Sequence, residues 1–133
     1  MATAATPISR AHLWTGRILS GLAILFLVFD TVIKLIARPE VAASMQQLGY
    51  PTELSLVIGI IELVCLVLYI IPATSVLGAI LFTGYLGGAI ATHLRLENPL
   101  FTHILFPTYI AALIWGGLYL RDVRVRTLVA LRG

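Results

Sequence analysis

The feature that most constrains this chain is the length of its stretches without a formally charged side chain. Between Glu62 and Arg95 there are 32 such residues, and the run Asn98–Leu120 has 23. A membrane-spanning helix needs about 20 mainly apolar residues, so the first stretch is too long for one span and too short for two. Pro72 divides it, since proline disfavours helix in the preceding residue, and Ser75 can cap the helix that follows.

The composition also indicates that the chain lies in a lipid bilayer. Apolar residues make up 59% of the chain and charged residues 11%, with a mean hydropathy of +1.00. A water-soluble globule of this size buries only about two-thirds of its unfolded surface, which would leave large apolar patches in water. We therefore expect a bilayer environment and exclude a soluble enzyme, a disordered chain and a nucleic-acid-binding module. The single Cys65 permits no internal disulfide.

The pattern predicts one all-α membrane domain over residues 1–133, a four-helix antiparallel bundle. Its spans are expected at about residues 14–36, 53–71, 75–95 and 101–120, followed by a basic tail at 121–133 that binds anionic lipid headgroups. Pro39 and Gly49 bracket a short segment with start and stop signals of a helix. Its apolar residues Val41, Met45 and Leu48 have helical spacing, so we predict a short interfacial helix between spans one and two.

Lys and Arg near the span ends predict the orientation, because positive charge accumulates on the cytoplasmic side. Six lie on the side of the termini and three on the other: Arg10, Arg17, Arg121, Arg124, Arg126 and Arg132 against Lys34, Arg38 and Arg95. Both termini are therefore expected in the cytoplasm, with Trp14, Tyr69 and Tyr119 near that interface. The short chain without organellar targeting composition favours a bacterial inner membrane.

Ionisable residues within the spans are costly in hydrocarbon and indicate where function lies. Asp30 and Lys34 are neighbours on one helical face, while Glu62 has no base in its own span. Either Lys34 forms a salt bridge with Asp30, or it instead meets Glu62 or an oxygen of a ligand. Glu62 lies on the stripe Ser55, Gly59, Glu62, Leu66 and Tyr69, which we expect to face the bundle, where it either finds a base on another helix or is protonated.

The third span contributes small and polar residues. We predict close helix packing at Gly84, Gly87, Gly88 and Ala91, which form small-xxx-small pairs. Another face carries Tyr85, Ala89, Thr92 and His93. The candidate ligand-binding residues are Lys34, Glu62, Tyr85, Thr92 and His93, supported by Asp30, Arg95 and His103. Glu62, His93 and His103 are metal-ligand types, but their spacing is not diagnostic, so no metal is predicted. Pro107 is expected to kink the fourth span.

Three sequence elements resemble the DoxX-like family of small four-helix membrane proteins. They are the first span ending at Lys34, the turn Leu48-Gly49-Tyr50-Pro51 leading into the span with Glu62, and the segment from Gly84 to Arg95. The family takes its name from a membrane subunit of a thiosulfate:quinone oxidoreductase. The resemblance implies a four-helix fold and a quinone-linked role beside membrane redox proteins.

Three functions stay open at this point. The first is an accessory subunit of a membrane redox system that binds a quinone in a polar pocket in the outer half of the bundle, with no other cofactor evident. The second is a membrane enzyme using Glu62 and His93 as acid and base. The third is a structural or assembly factor. Expected partners are membrane lipid, redox subunits and further copies of the chain, without nucleic acid.

Overall fold

A computed structural model describes residues 8–36 and 38–129 of the chain. This part of the chain is all-helical and contains no β-strand. Six α-helices follow one another in sequence: α1 (Arg10–Leu35), α2 (Pro39–Leu48), α3 (Leu54–Ile70), α4 (Ser75–Arg95), α5 (Phe106–Arg121) and α6 (Val123–Val129). A 3₁₀ turn at Pro72–Thr74 and a π-helical turn at Leu100–Ile104 precede α4 and α5. Residues 130–133, which include Arg132 of the predicted basic tail, lie outside the described residues.

The short helix expected after the first span is present as α2. Pro39 occupies its first turn, where the missing N–H of proline costs no hydrogen bond. Gly49 ends it with φ of 80°, a left-handed conformation that glycine adopts without strain. Val41 and Met45 face inward and are buried.

Pro72 separates α3 from α4 as expected, but Ser75 does not cap α4. Thr74 is the residue before the first turn of that helix. The Ser75 hydroxyl donates to the carbonyl oxygens of Tyr69 at 2.8 Å and Ile71 at 2.9 Å. It therefore supplies a donor to carbonyls that the end of α3 leaves without helical partners.

The prediction of a proline kink inside the fourth span was wrong. The π-helical turn ends at Ile104, and α5 begins afresh at Phe106. Pro107 consequently stands in the first turn of α5, where it interrupts no helical hydrogen bond. The helix is interrupted before the proline, so α5 itself does not have to bend.

Four of the helices enclose one core. α1 packs against α3 and α5, and α4 packs against the same two helices. The core holds mainly aliphatic and aromatic side chains, including Leu27, Leu66, Phe82 and Ile114. α1 and α5 come close at Gly16 and Gly117, where a Cβ on Gly16 would lie 2.7 Å from the Gly117 carbonyl oxygen. Glycine is required there because any side chain would separate the two helices.

Within residues 8–36 and 38–129, three segments are long and apolar enough to cross a membrane: Arg10–Leu35, Pro72–Arg95 and Leu100–Arg121. α3 is apolar but shorter, at 17 residues. The third predicted span, 75–95, coincides with α4, whereas α1 begins four residues earlier than predicted and α3 is one residue shorter at each end.

Tyr69 does not belong to an interfacial belt of aromatic rings. Its side chain is fully buried in the core. Its hydroxyl donates to the Ile114 carbonyl oxygen at 2.9 Å and lies 2.8 Å from the Ser20 hydroxyl. Arg121 Nε donates to the same Ser20 oxygen at 3.1 Å. Tyr69 thus ties α3 to α1 and α5 inside the core.

The segment after α5 folds back as α6, which the sequence pattern did not predict. Val125 is 1% exposed and joins the core. Asp122 accepts from the backbone N–H of Arg124 at 2.9 Å and pairs with the Arg124 guanidinium at 2.8 Å. This guanidinium holds the pKa of Asp122 below its usual range. Arg124 also donates to the carbonyl oxygen of Pro72.

We expect Asp122→Asn to loosen α6. The carboxylate form of Asp122 is favoured in the folded chain, so its contribution is present above the ordinary pKa of aspartate and is lost as the pH falls through the lowered value. Amide hydrogen exchange in α6 should therefore accelerate in the variant at neutral pH, and in the native chain only on acidification. Equal exchange in both proteins at neutral pH would contradict this role.

Candidate functional site

The charged residues of the site meet near the C-terminal end of α1, where Lys34 and Leu35 pack against Gly59 of α3. The stripe Ser55, Gly59, Glu62, Leu66 and Tyr69 is buried throughout, as its spacing predicts. A Cβ on Gly59 would lie 3.2 Å from Cβ of Lys34, so the glycine allows the two helices to come together. The Ser55 hydroxyl donates to the Lys34 carbonyl oxygen at 3.0 Å.

Lys34 is the centre of a charge cluster that we define as Asp30, Lys34, Glu62 and Tyr85. Its ammonium group donates to Glu62 Oε2 at 3.0 Å and to the Tyr85 hydroxyl at 2.7 Å, and it pairs with Asp30 one turn away. The Tyr85 hydroxyl donates to Glu62 Oε2 at 3.1 Å. Lys34 therefore meets both acids, and the two alternatives drawn from the sequence hold together.

This arrangement leaves the ammonium group without a spare hydrogen. A lysine ammonium has three N–H donors, and the three acceptors of the cluster match them. The Tyr85 hydroxyl likewise accepts from Lys34 and donates to Glu62. The hydrogens of the Lys34 ammonium and the Tyr85 hydroxyl are thus all used inside the cluster, and Glu62 is fully buried behind these two side chains.

A cavity of about 310 Å³ lies against the Lys34 and Tyr85 side of the cluster. Its size matches the lower range of small-molecule sites. The walls come from α1, α2, α3, α4 and the turn after α2: Lys34, Met45, Leu48, Tyr50, Ile58, Tyr85, Gly88, Ala89, Thr92 and His93. Aliphatic and aromatic groups make up most of this surface.

Most polar groups on the cavity wall are already paired. The Thr92 hydroxyl donates to the Gly88 carbonyl oxygen at 2.8 Å, so the Tyr50 hydroxyl, also at 2.8 Å, donates to Thr92. His93 differs from them. The Asn98 side-chain amide donates to His93 Nδ1 at 2.8 Å, which places the ring hydrogen on Nε2. Within the described residues Nε2 has no hydrogen-bond partner, so it can donate to a bound molecule.

The structure brings Lys34, Tyr85, Thr92 and His93 to the cavity wall but not Glu62, which lies one layer behind. The supporting residues are more dispersed. Arg95 donates to the Leu48 carbonyl oxygen at the end of α2. His103 is exposed on the π-helical turn, with its ring centroid 5.6 Å from that of His93.

Met45, Leu48, Tyr50 and Ile58 line the cavity although sequence analysis did not place them there. Helical spacing in α2 signalled an apolar face for Met45 and Leu48, and Tyr50 stands in the turn that carries the family resemblance. Neither the spacing in α2 nor the turn sequence indicates that these side chains line a cavity.

The glycines of α4 have a different role from the predicted one. Nothing in the described chain lies within 4 Å of a Cβ placed on Gly84, Gly87 or Gly88. These residues therefore do not seat a neighbouring helix of the same chain. Gly88 instead leaves room in the cavity, because it forms part of the wall. The close approach of α3 and α4 occurs at Gly78.

Residues 8–36 and 38–129 contain no group of three or more His, Cys, Asp or Glu side chains arranged to hold a metal ion. His93 and His103 face each other as a pair, but Glu62 is separated from them by its contacts with Lys34 and Tyr85.

The fold and site define a class of small all-helical protein with three helices long enough to cross a membrane and a cavity beside a buried charge cluster. The sequence model of the DoxX-like family matches residues 18–117. The chain therefore belongs to the DoxX-like family, and the matched region contains the whole charge cluster and the cavity wall. Neither the curated proteins nor the solved structures include a match.

Proposed function

We propose that α1, α3, α4 and α5 form an antiparallel four-helix bundle embedded in a bacterial inner membrane, with both termini in the cytoplasm. Large apolar side chains cover the outer faces of these helices, including Ile18, Leu25, Phe29 and Ile80, each more than half exposed. Such a surface suits hydrocarbon better than water. The excess of arginine at the end that carries the termini supports the orientation.

We propose further that the cavity binds a neutral, ring-sized carbonyl lipid of the quinone class. The observation that carries this is that His93, whose Nε2–H has no partner within the described residues, lines a mainly apolar cavity whose other polar side chains are paired. One donor in an apolar cavity suits a carbonyl oxygen. A charged ligand has nothing to pair with, because the donors of Lys34 are taken by Asp30, Glu62 and Tyr85.

This binding supports a role as an accessory subunit of a membrane redox system. Other subunits would supply the electron carriers, which fits the family resemblance. The acid–base enzyme is less well supported, because Glu62 does not reach the cavity wall. A structural role has one specific argument in its favour: the charge cluster joins α1, α3 and α4.

Filling the cavity tests the binding proposal. We expect Gly88→Leu to weaken binding of a short-chain quinone at least about tenfold, or about 1.4 kcal/mol, because the added side chain projects into the cavity. The measurement is calorimetric titration of the full chain in detergent. Gly84→Leu is the matched control, since its side chain also meets open space but lies outside the cavity wall.

Native-like binding by Gly84→Leu together with loss in Gly88→Leu would support the cavity as the site. Equal affinity in both variants, or no quinone binding by the native chain, would refute it. Mass spectrometry of the chain extracted in native lipid particles tests the accessory role. Partner subunits with electron-carrying groups should be retained, and the absence of any such partner would contradict that role.

A further inference from the structure

The charge cluster has one more acidic group than basic groups. Asp30 and Glu62 both contact Lys34, so full ionisation would give the cluster a net charge of −1. Glu62 is 0% exposed, and a net charge is costly in such surroundings. One further positive charge beside Asp30, Lys34 and Glu62 would make the cluster electrically neutral.

The neighbouring helices do not supply that charge. From α4, only the Tyr85 hydroxyl bonds to the cluster within the described chain. The Arg95 guanidinium donates to the Leu48 carbonyl oxygen, and His93 accepts a hydrogen bond from the Asn98 amide. On α2 the acid Glu40 pairs with Arg38 at the surface. On α3 the other titratable side chains are Cys65 and Tyr69. The one charged residue of α5, Arg121, donates to Ser20, which lies beside Tyr69 and away from Glu62.

Two buried oxygen atoms near the cluster lack a hydrogen-bond partner in the described chain. They are Glu62 Oε1 and Thr31 Oγ1, on side chains that are 0% and 2% exposed. α1 and α3 run antiparallel, with Lys34 beside Gly59 and Ser20 bonded to Tyr69, so Thr31 lies at the level of Glu62. Buried polar atoms are rarely left unpaired, so each of these two oxygens calls for a hydrogen-bond partner.

We propose that the cluster binds one exchangeable proton, carried on Glu62 Oε1 next to Thr31, and is electrically neutral as a result. The proton supplies the missing positive charge and turns Glu62 Oε1 into a donor that Thr31 Oγ1 can accept from, directly or through one water molecule. Asp30 stays ionised as the partner of Lys34. The cluster is in this sense a proton-binding site inside the bundle.

The use of this proton by a ligand rests on the proposed function. The Tyr85 side chain lines the cavity, and its hydroxyl donates to Glu62. For this step the proton has to stand on Glu62 Oε2, because Tyr85 contacts that oxygen and not Oε1. Rotation of the carboxyl group about its bond to Cγ exchanges the two oxygens. Glu62 then gives its proton to the Tyr85 oxygen, while the Tyr85 hydrogen turns from Glu62 to the cavity and passes to an anionic oxygen of a quinone that the redox partner has reduced. Tyr85 is then unchanged, Glu62 is left ionised beside Lys34, and the ligand has gained one proton.

Infrared spectroscopy of the ligand-free full chain tests the proposal, in a detergent without ester groups. A protonated carboxyl has its own C=O stretching band, which shifts in heavy water. We expect the native chain to show one such band at neutral pH. Glu62→Gln should abolish it, and Glu40→Gln, which changes an exposed acid paired with Arg38, should leave it unchanged.

Two further variants test the charge count itself. In Asp30→Asn the charges of Lys34 and Glu62 balance, so Glu62 should release its proton and the band should disappear. Lys34→Met leaves two acids without a cation, so the band should roughly double.

Persistence of the band in Asp30→Asn would overturn the charge count. A native chain without the band at neutral pH would overturn the proposal whatever the variants do. Because the samples contain no quinone, these results are independent of whether the cavity binds one.

Discussion

Replacing Lys34 with methionine should destabilise the folded chain by about 3 kcal/mol, the usual cost of removing one partner from a buried ion pair. Glu62 Oε2 would lose the ammonium donor at 3.0 Å and keep only Tyr85. Asp30 would lose its partner as well. The free energy of unfolding in detergent micelles measures the effect. The loss should shrink at lower pH, because Asp30 has to be protonated in the folded variant and this protonation costs less free energy as the pH falls.

Two variants separate this effect from a general loss of lysine packing. Adding Asp30→Asn to Lys34→Met should restore much of the stability, since a neutral amide then replaces the ionised carboxylate that Lys34 neutralises. Arg38→Met should leave the free energy of unfolding unchanged, because its pair with Glu40 is exposed. A Lys34→Met chain as stable as the Arg38→Met chain would show that the cluster contributes nothing to the fold.

The second large effect is expected at the crossing of α3 and α4. A Cβ on Gly78 would lie 2.7 Å from Tyr69 Cα and 2.8 Å from the carbonyl carbon of Leu68. These are backbone atoms and cannot move aside alone. Gly78→Val should therefore force α3 and α4 apart and cost about 3 kcal/mol, the upper end of ordinary overpacking.

Gly84→Val is the control in the same helix, because nothing lies within 4 Å of its Cβ. Its unfolding free energy should stay within about 0.5 kcal/mol of the native value, as for other exposed substitutions. Thermal unfolding of both variants in the same detergent gives the comparison. A similar loss of unfolding free energy in both variants would mean that the effect of Gly78→Val comes from the low helix propensity of valine and not from the crossing of α3 and α4.

Much of the site could be predicted because helical periodicity gathers residues on one face. The stripe through Glu62 and the face carrying Tyr85, Thr92 and His93 follow from spacing alone. The antiparallel path then brings Lys34 to the same level. The sequence did not predict that Met45, Leu48 and Tyr50 line the cavity. They reach it because α2 folds back onto the bundle, and the spacing of apolar residues gives no information about the direction of that fold.

The amino-acid sequence by itself determined the helical class, the boundary at Pro72, the short helix ending at Gly49 and the buried stripe of α3. These depend on local rules: the charge-free lengths, the restricted backbone of proline and glycine, and the period of 3.6 residues. The tertiary structure decided which small residues carry the helix crossings. Gly84 and Gly78 look equally suited in one helix, yet only Gly78 meets backbone atoms of a neighbour.

The tertiary structure likewise decided the role of Glu62. Spacing places its carboxyl toward the bundle but cannot show that Lys34 and Tyr85 contact one of its oxygens and leave the other without a partner in the described chain. The relative rotation and distance of packed helices depend on every side chain between them. For this reason the faces of the helices could be derived from the sequence, whereas their contacts could not.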